Sequence, residues 1–214
     1  RKKKGNFMAD NTARINEDVS AFNAKYDRVK FETPDIKRAY IADAEEIIER
    51  YPPQSVEERQ ALAKFYSHLG CMITVFGQDL ENGIRYYRKS IELDPESYDL
   101  QWEYYTTLEE IVEDENYSTP ELIQDAIDCL TFCINYCDTP ELREKHYIHY
   151  RYTDLGRVYM AAGDYRKAKE CFERSMQILP NDNARNLLAQ VNRKIGNPIT
   201  RFFGKIFSVF RKNK

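Results

Sequence analysis

The sequence predicts an all-α protein built from helix-turn-helix units, and three observations lead to this prediction. No segment of the 214 residues alternates apolar and polar side chains as a half-buried strand would. Three Thr-Pro-acid triplets, at Thr33, Thr119 and Thr139, have the composition of helix N-termini. Small and aromatic residues recur at similar spacings in separate segments. We expect four units (roughly 11–52, 63–96, 98–138 and 149–182), a capping helix at 183–195, a basic N-terminal tail at 1–10 and a C-terminal amphipathic helix at 197–214.

The first unit, residues 11–52, has the weakest pattern. Thr33 provides an N-cap hydroxyl before Pro34, so the expected helices run over 11–30 and 34–50. Their apolar positions fall on two successive helical faces, which carry Val19, Phe22 and Tyr26, then Tyr40, Ala44 and Ile47.

The second unit, residues 63–96, has a clearer pattern. Ser55 and Glu58 have the spacing of a capping box and begin a helix expected over 55–76. A second helix is expected over 79–93, after a turn at Gly77-Gln78-Asp79 that contains one extra residue. The repeated positions are Tyr66, Leu69, Gly70 and Ile73, then Gly83, Tyr87, Ser90 and Pro95.

The third unit, residues 98–138, diverges from the other units. Its helices are expected over 97–113 and 120–137, separated by the acidic connection Glu113-Asp114-Glu115. Either Tyr105 or Thr106 occupies the position that is glycine in the neighbouring units, so the register is open by one residue. The apolar and small positions are Tyr98, Leu100, Trp102, Tyr104, Leu108 and Ile111, then Ala126, Leu130 and Cys133.

The fourth unit, residues 149–182, is expected to form helices over 140–162 and 164–178. Its pattern consists of Tyr152, Leu155, Gly156 and Tyr159, then Ala168, Phe172, Ser175 and Pro180. Small residues at Gly156 and Ala168 would let two antiparallel helices approach closely. The pattern resembles the tetratricopeptide repeat (TPR), a helix-turn-helix motif of 34 residues. The resemblance implies a right-handed α-solenoid that binds other proteins and has neither catalytic activity nor a cofactor.

In TPR proteins, ligands usually contact the first helix of each repeat on the inner face of the array. The resemblance therefore implies a peptide-binding groove lined by Lys64, Ser67, His68 and Cys71, by Asp99, Trp102, Glu103, Thr106 and Glu110, and by Tyr150, Thr153, Asp154 and Arg157. The Lys and Asn set with which chaperone-tail binders of this family hold a terminal carboxylate is missing. Acids around Trp102 favour a basic or amphipathic peptide. In the alternative interpretation, Trp102 belongs to the core and the acids form a solvated face.

The C-terminal segments are expected to close the array. Residues 183–195 have one apolar side, typical of the polar-faced cap that a repeat array needs. After the helix stop at Gly196-Asn197-Pro198 comes an apolar stripe with a basic opposite side and no acid. The stripe comprises Ile199, Phe202, Phe203, Ile206, Phe207 and Phe210, and the basic side Arg201, Lys205 and Arg211. It could pack within the protein or mediate self-association, bind a partner, or anchor a membrane-associated assembly factor peripherally on an anionic membrane.

The charge distribution disfavours nucleic acid as a partner. The net charge of −3 combines two basic ends with an acidic middle: residues 31–196 contain 19 Lys and Arg against 31 Asp and Glu. Such a middle favours basic segments as ligands.

Five cysteines without disulfide-framework spacing indicate a reducing, cytoplasmic compartment, with the inner membrane face as an alternative. The chain begins at Arg1, which leaves an upstream membrane anchor open.

No catalytic pattern is evident. Cys129, Cys133 and Cys137 share a helical face, but tetrahedral zinc prefers four ligands, and buried small residues explain the spacing without a metal. His146 and His149, three residues apart, form only a weak pair because no acid stands beside them in a metalloprotease arrangement. The sequence predicts a non-catalytic scaffold with no metal and no cofactor.

Overall fold

The computed structural model describes residues 7–27, 31, 33–114 and 116–196. Over these residues the protein is all-α, as predicted, and contains no strand. The α-helices are α1 (Phe7–Tyr26), α2 (Pro34–Arg50), α3 (Val56–Cys71), α4 (Leu80–Leu93), α5 (Tyr98–Glu113), α6 (Pro120–Tyr136), α7 (Pro140–Lys145), α8 (Ile148–Ala161), α9 (Tyr165–Ile178) and α10 (Asp182–Gly196). Among the helices of this described part, none combines the length and apolar character needed to cross a bilayer.

Four predicted helix starts, those of α2, α3, α6 and α7, are confirmed by their capping hydrogen bonds. The hydroxyls of Thr33, Thr119 and Thr139 each accept a hydrogen bond from the backbone amide three residues later, at 3.2–3.3 Å. At α3, Ser55 Oγ accepts from the Glu58 amide at 3.0 Å while Glu58 Oε2 accepts from the Ser55 amide at 3.2 Å. This reciprocal pair is a capping box, and it satisfies donors that the first helical turn leaves without intrahelical partners.

Three local features differ from the expected helices. Helix α1 begins at Phe7, inside the predicted N-terminal tail, and ends at Tyr26, four residues before the expected end. The helix expected over 140–162 is interrupted at Tyr147, whose φ of 49° lies in the left-handed region, so α7 and α8 are separate. A π-helical turn at Met72–Phe76 accommodates part of the extra residue that the sequence predicted before α4. The Gly77 amide donates to the Met72 carbonyl at 3.0 Å, five residues earlier. A π turn adds one residue to a helix without ending it.

The chain divides into two compact units, residues 1–107 and 108–214. In the first unit, aromatic side chains of α1, α2 and α3 form a shared core. The Phe22 ring centroid lies 4.8 Å from that of Tyr40 and 5.2 Å from that of Phe65. Lys37 of α2 binds Asp79, the N-cap of α4, with 3.1 Å between Lys37 Nζ and Asp79 Oδ2. This bond ties the helices of the first predicted unit to the α3–α4 hairpin.

Two helical hairpins, α3–α4 in the first unit and α8–α9 in the second, have the same interior. A Cβ atom on Gly70 would lie 2.7 Å from the Tyr87 ring, and one on Gly156 would lie 2.5 Å from the Phe172 ring. Each glycine therefore allows an aromatic ring of the next helix to lie directly on its backbone. In the second unit, α10 covers α9, and Val191 is buried in the cluster that contains Phe172.

A buried serine closes each hairpin in the same way. Ser90 Oγ donates to the Ala63 carbonyl and Ser175 Oγ donates to the His149 carbonyl, both at 2.7 Å. Each bond joins the second helix of a hairpin to the first residue of its repeat pattern. The two segments are therefore alike in their contacts as well as in their sequence.

Candidate functional site

The burial of Tyr105 and the exposure of Thr106 show which of the two possible registers α5 adopts. Tyr105 is 1% exposed, whereas Thr106 is exposed. Tyr105 therefore occupies the position that is glycine in the two hairpins. The Tyr87 ring stacks on Tyr104 with 5.0 Å between centroids, and the Tyr87 hydroxyl lies 2.8 Å from Thr107 Oγ1. In this register Trp102 is only half-buried, with its ring centroid 5.3 Å from that of Tyr105.

Predicted groove residues of the first unit meet where α3 approaches α5. Ser67 Oγ donates to Glu103 Oε2 at 2.6 Å, across 36 residues of sequence. Burial lowers the pKa of His68, and the Glu103 charge opposes this shift. We call the surface formed by Ser67, His68, Trp102 and Glu103 the Glu103 face. Ser67 is itself buried, so its hydroxyl positions the carboxylate and is not presented to solvent.

The other predicted positions of the first unit surround this contact. Lys64 and Asp99 are exposed, and Cys71 is half-buried. Thr106 Oγ1 donates to the Glu103 carbonyl at 2.8 Å, a bond within α5. Neither Lys64 nor any other described cation forms an ion pair with the Glu103 carboxylate, whose described hydrogen-bond donor is Ser67.

In the second unit, most of the predicted groove side chains form hydrogen bonds or ion pairs with other side chains of the protein. Thr153 is 1% exposed and its Oγ1 lies 2.8 Å from Ser175 Oγ. Arg157 bridges two carboxylates, with Nη1 2.7 Å from Glu109 Oε1 and Nη2 2.8 Å from Glu113 Oε1. These contacts join α8 to the last turns of α5. Of the remaining predicted positions here, Tyr150 and Glu110 are exposed.

Asp154 is a half-buried carboxylate next to this ion-pair network, with its side chain 16% exposed. Its Oδ2 accepts from Arg151 Nη1 at 3.1 Å. Burial raises the pKa of Asp154 to about 6, with the Glu109 charge acting in the same direction and the Arg151 charge opposing it. Asp154 is thus largely enclosed and paired with Arg151.

Cysteines of the second unit are buried between helices. Burial raises the pKa of the Cys133 thiol to about 12, and it also raises the pKa values of Cys129 and Cys137. Within the described part of the chain, no three His, Cys, Asp or Glu side chains gather in a way that could hold a metal ion. The cysteines pack as small apolar side chains, as the sequence favoured.

Three contacts of these surfaces involve residues that the sequence did not single out. Glu109 and Glu113 bind Arg157 across 48 and 44 residues, and Arg151 binds Asp154 within α8. The spacing of Arg151 and Asp154, three apart on one helix, is a signal that could have indicated their pairing. The predicted C-terminal contact positions, from Ile199 to Arg211, lie outside the described residues.

The two hairpins are also the segments that match known sequences. Residues 149–182 and residues 61–97 each match a family model described as tetratricopeptide repeat. The chain therefore contains two tetratricopeptide repeats. Among curated proteins, no sequence matches it. A solved structure, the N-terminal domain of stress-induced protein-1 (STI-1) from C. elegans, is similar with a TM-score of 0.43 and 18% identity, covering 63% of this chain and 97% of that chain.

These two repeats indicate the general class of function. TPR proteins are generally non-catalytic scaffolds for protein–protein interaction, and their partners are proteins. The two matched segments coincide with the hairpins whose glycine, aromatic and serine contacts are described above.

Proposed function

We propose that this protein is a scaffold that holds a basic or amphipathic segment of a partner protein on the Glu103 face. The observation that carries the proposal is the state of the Glu103 carboxylate. It accepts a hydrogen bond from the buried Ser67 hydroxyl at 2.6 Å and forms no ion pair with a described cation. A lysine or arginine of a partner could therefore bind it without displacing an internal salt bridge.

The surroundings of Glu103 support a basic ligand. Ser67 fixes the direction of the carboxylate, which lowers the entropy that an incoming cation would lose on pairing. Partial burial lowers the pKa of His68, which favours the neutral imidazole, and a neutral imidazole does not compensate the carboxylate charge. A guanidinium or ammonium group would form a charge-assisted hydrogen bond with the free lone pairs of the carboxylate.

Trp102 supplies the apolar part of the proposed contact. Its indole precedes Glu103 on α5 and is half-buried, so part of the ring is accessible to a ligand. An aromatic side chain at the centre of an interface usually contributes more to affinity than an exposed ion pair does. We therefore expect Trp102 to provide much of the affinity and Glu103 to select for positive charge.

Trp102 also makes the proposal directly testable, because it is the only tryptophan in the chain. Its fluorescence would be followed while the full chain is titrated with a 15-residue helical peptide bearing lysines on one side and leucines on the other. The expected result is a saturable change in Trp102 emission. Replacing Glu103→Lys should weaken binding at least tenfold by converting attraction into repulsion.

Two controls isolate the carboxylate. Glu81→Lys makes the same charge change at an exposed position of α4 and should leave the affinity within about twofold of the unaltered chain, since it lies outside the Glu103 face. Ser67→Ala removes the bond that orients Glu103 and should give an intermediate loss. Equal affinities for the Glu103→Lys and Glu81→Lys chains would refute the proposal.

A further inference from the structure

A cavity lies in the second unit, away from the predicted groove residues of its repeat. Its volume is about 370 Å³, and it is formed by the end of α6, the segment into α7, the start of α8 and the last turns of α9. Ile134, Ile148, Tyr152 and Ile178 provide apolar walls. None of Tyr150, Thr153, Asp154 or Arg157 lines it, so it is a separate feature from the face that the family resemblance implied.

Two arginines give this cavity a positive edge. Arg143 donates through Nε to the Cys137 carbonyl at 3.0 Å and through Nη2 to the Asp138 carbonyl at 3.4 Å. These two backbone contacts hold its guanidinium in place. Arg174 donates through Nη1 to Gln177 Oε1 at 3.2 Å. Neither guanidinium forms an ion pair with a carboxylate of the described residues, and Asp138 is the acid that lines the cavity.

Exposed apolar residues include one lining residue of this cavity and direct sequence neighbours of lining residues. Ile178 and Leu179, at the end of α9, are 39% and 50% exposed. Tyr136, at the end of α6, is 42% exposed. Exposed apolar side chains that adjoin a concave apolar site extend the area that a ligand can cover. This arrangement suits a protein segment better than a compact small molecule, which would leave the outer side chains in water.

We propose that this cavity binds an acidic amphipathic segment of a partner protein. A large apolar side chain of the segment enters between Ile148 and Ile178, and its carboxylates pair with Arg143 and Arg174. The volume is at the lower end of the range of about 300–1,000 Å³ typical of ligand pockets, which suits one or two side chains. Charge argues against the chain's own C-terminal segment as occupant, because residues 197–214 contain five basic residues and no acid.

The test uses a fluorescently labelled 15-residue helical peptide with leucines along one side and glutamates along the other. Fluorescence anisotropy with the full chain should show saturable binding that weakens as salt is added. Arg174→Glu should reduce the affinity at least tenfold, and Ile178→Ser several-fold. Arg166→Glu, the same charge reversal at an exposed position of α9 outside the cavity, should retain the affinity.

Variants and peptides distinguish this site from the alternatives. Glu103→Lys should not weaken binding of the acidic peptide, since Glu103 lies in the other unit. A peptide with glutamine in place of glutamate should bind at least fivefold more weakly. The proposal is overturned if the acidic peptide does not bind, or if Arg174→Glu and Arg166→Glu bind it equally. It is also overturned if sedimentation velocity shows a dimer of the chain that Arg174→Glu dissociates, because a second copy would then occupy the cavity.

Discussion

Replacing Gly156 with alanine tests the close approach of α8 and α9. The added Cβ would lie 2.5 Å from Phe172 Cε1 and 2.8 Å from both Cδ1 and Cζ, distances well inside van der Waals contact. The Phe172 ring is fully buried against Ala168 and Val191, so it cannot rotate into solvent to relieve the overlap. Either the ring or one of the two helices must move.

The expected magnitude follows from two opposing effects. Overpacking a buried site destabilises a protein by about 1–3 kcal/mol. Replacing glycine by alanine inside a helix stabilises it by about 1 kcal/mol. Because the three contacts are short and made by a rigid ring, we expect overpacking to dominate. The free energy of unfolding should fall by about 1–2 kcal/mol in the Gly156→Ala chain.

Urea unfolding followed by far-ultraviolet circular dichroism would measure the change. The matched control is Gly196→Ala, since a Cβ at Gly196 has no neighbour within 4 Å and should leave the midpoint unchanged or slightly higher. Phe172→Leu combined with Gly156→Ala should lose less stability than the sum of the two single changes, because a smaller side chain accommodates the new methyl group. A Gly156→Ala chain at least as stable as the unaltered protein would show that the hairpin is not packed as described.

Three further predictions concern buried polar and titratable groups. Ser175→Ala should lower the free energy of unfolding by about 0.5–1.5 kcal/mol in urea titrations, since the His149 carbonyl loses its 2.7 Å donor but keeps the Thr153 hydroxyl at 3.1 Å; no loss of stability would contradict the assigned bond. Because burial raises the pKa of Asp154 to about 6, the ionised form is disfavoured in the folded protein. The unaltered chain should therefore gain about 1 kcal/mol relative to Asp154→Asn as the pH falls from 7.5 to 5, and a constant difference in unfolding free energy would refute this. Burial raises the pKa of the Cys133 thiol to about 12, so iodoacetamide at pH 8 should modify it only after unfolding, as peptide mass spectrometry would show; rapid modification of the native chain would be inconsistent with its burial.

The hairpins were the most predictable part of the fold. In each hairpin, the sequence pattern pairs a glycine on the first helix with a large aromatic residue on the second, because the missing side chain leaves room for the ring. The structure contains both contacts, Gly70 with Tyr87 and Gly156 with Phe172. Helix starts were equally predictable, because a threonine before a proline fixes the N-terminus through local hydrogen bonds alone.

Other features depend on tertiary contacts that leave no local signal. The break before α8 falls at Tyr147, with neither glycine nor proline at the residue that adopts the left-handed conformation. The bond from Ser67 to Glu103 and the ion pairs of Arg157 join residues at least 36 positions apart, and no periodicity in either helix indicates them. The set of groove positions therefore stays a prediction from the sequence, and the contacts of the individual side chains could not be predicted from it.

Photo-crosslinking of a bound peptide would test the proposed scaffold function most directly. The lysine–leucine peptide of the fluorescence titration would carry benzoylphenylalanine at one leucine position, and mass spectrometry would locate the crosslinked residues on the full chain. Binding on the Glu103 face predicts crosslinks concentrated at residues 64–71 of α3 and 99–106 of α5, and their loss in the Glu103→Lys chain. Crosslinks spread evenly over both units, or unaffected by Glu103→Lys, would contradict it.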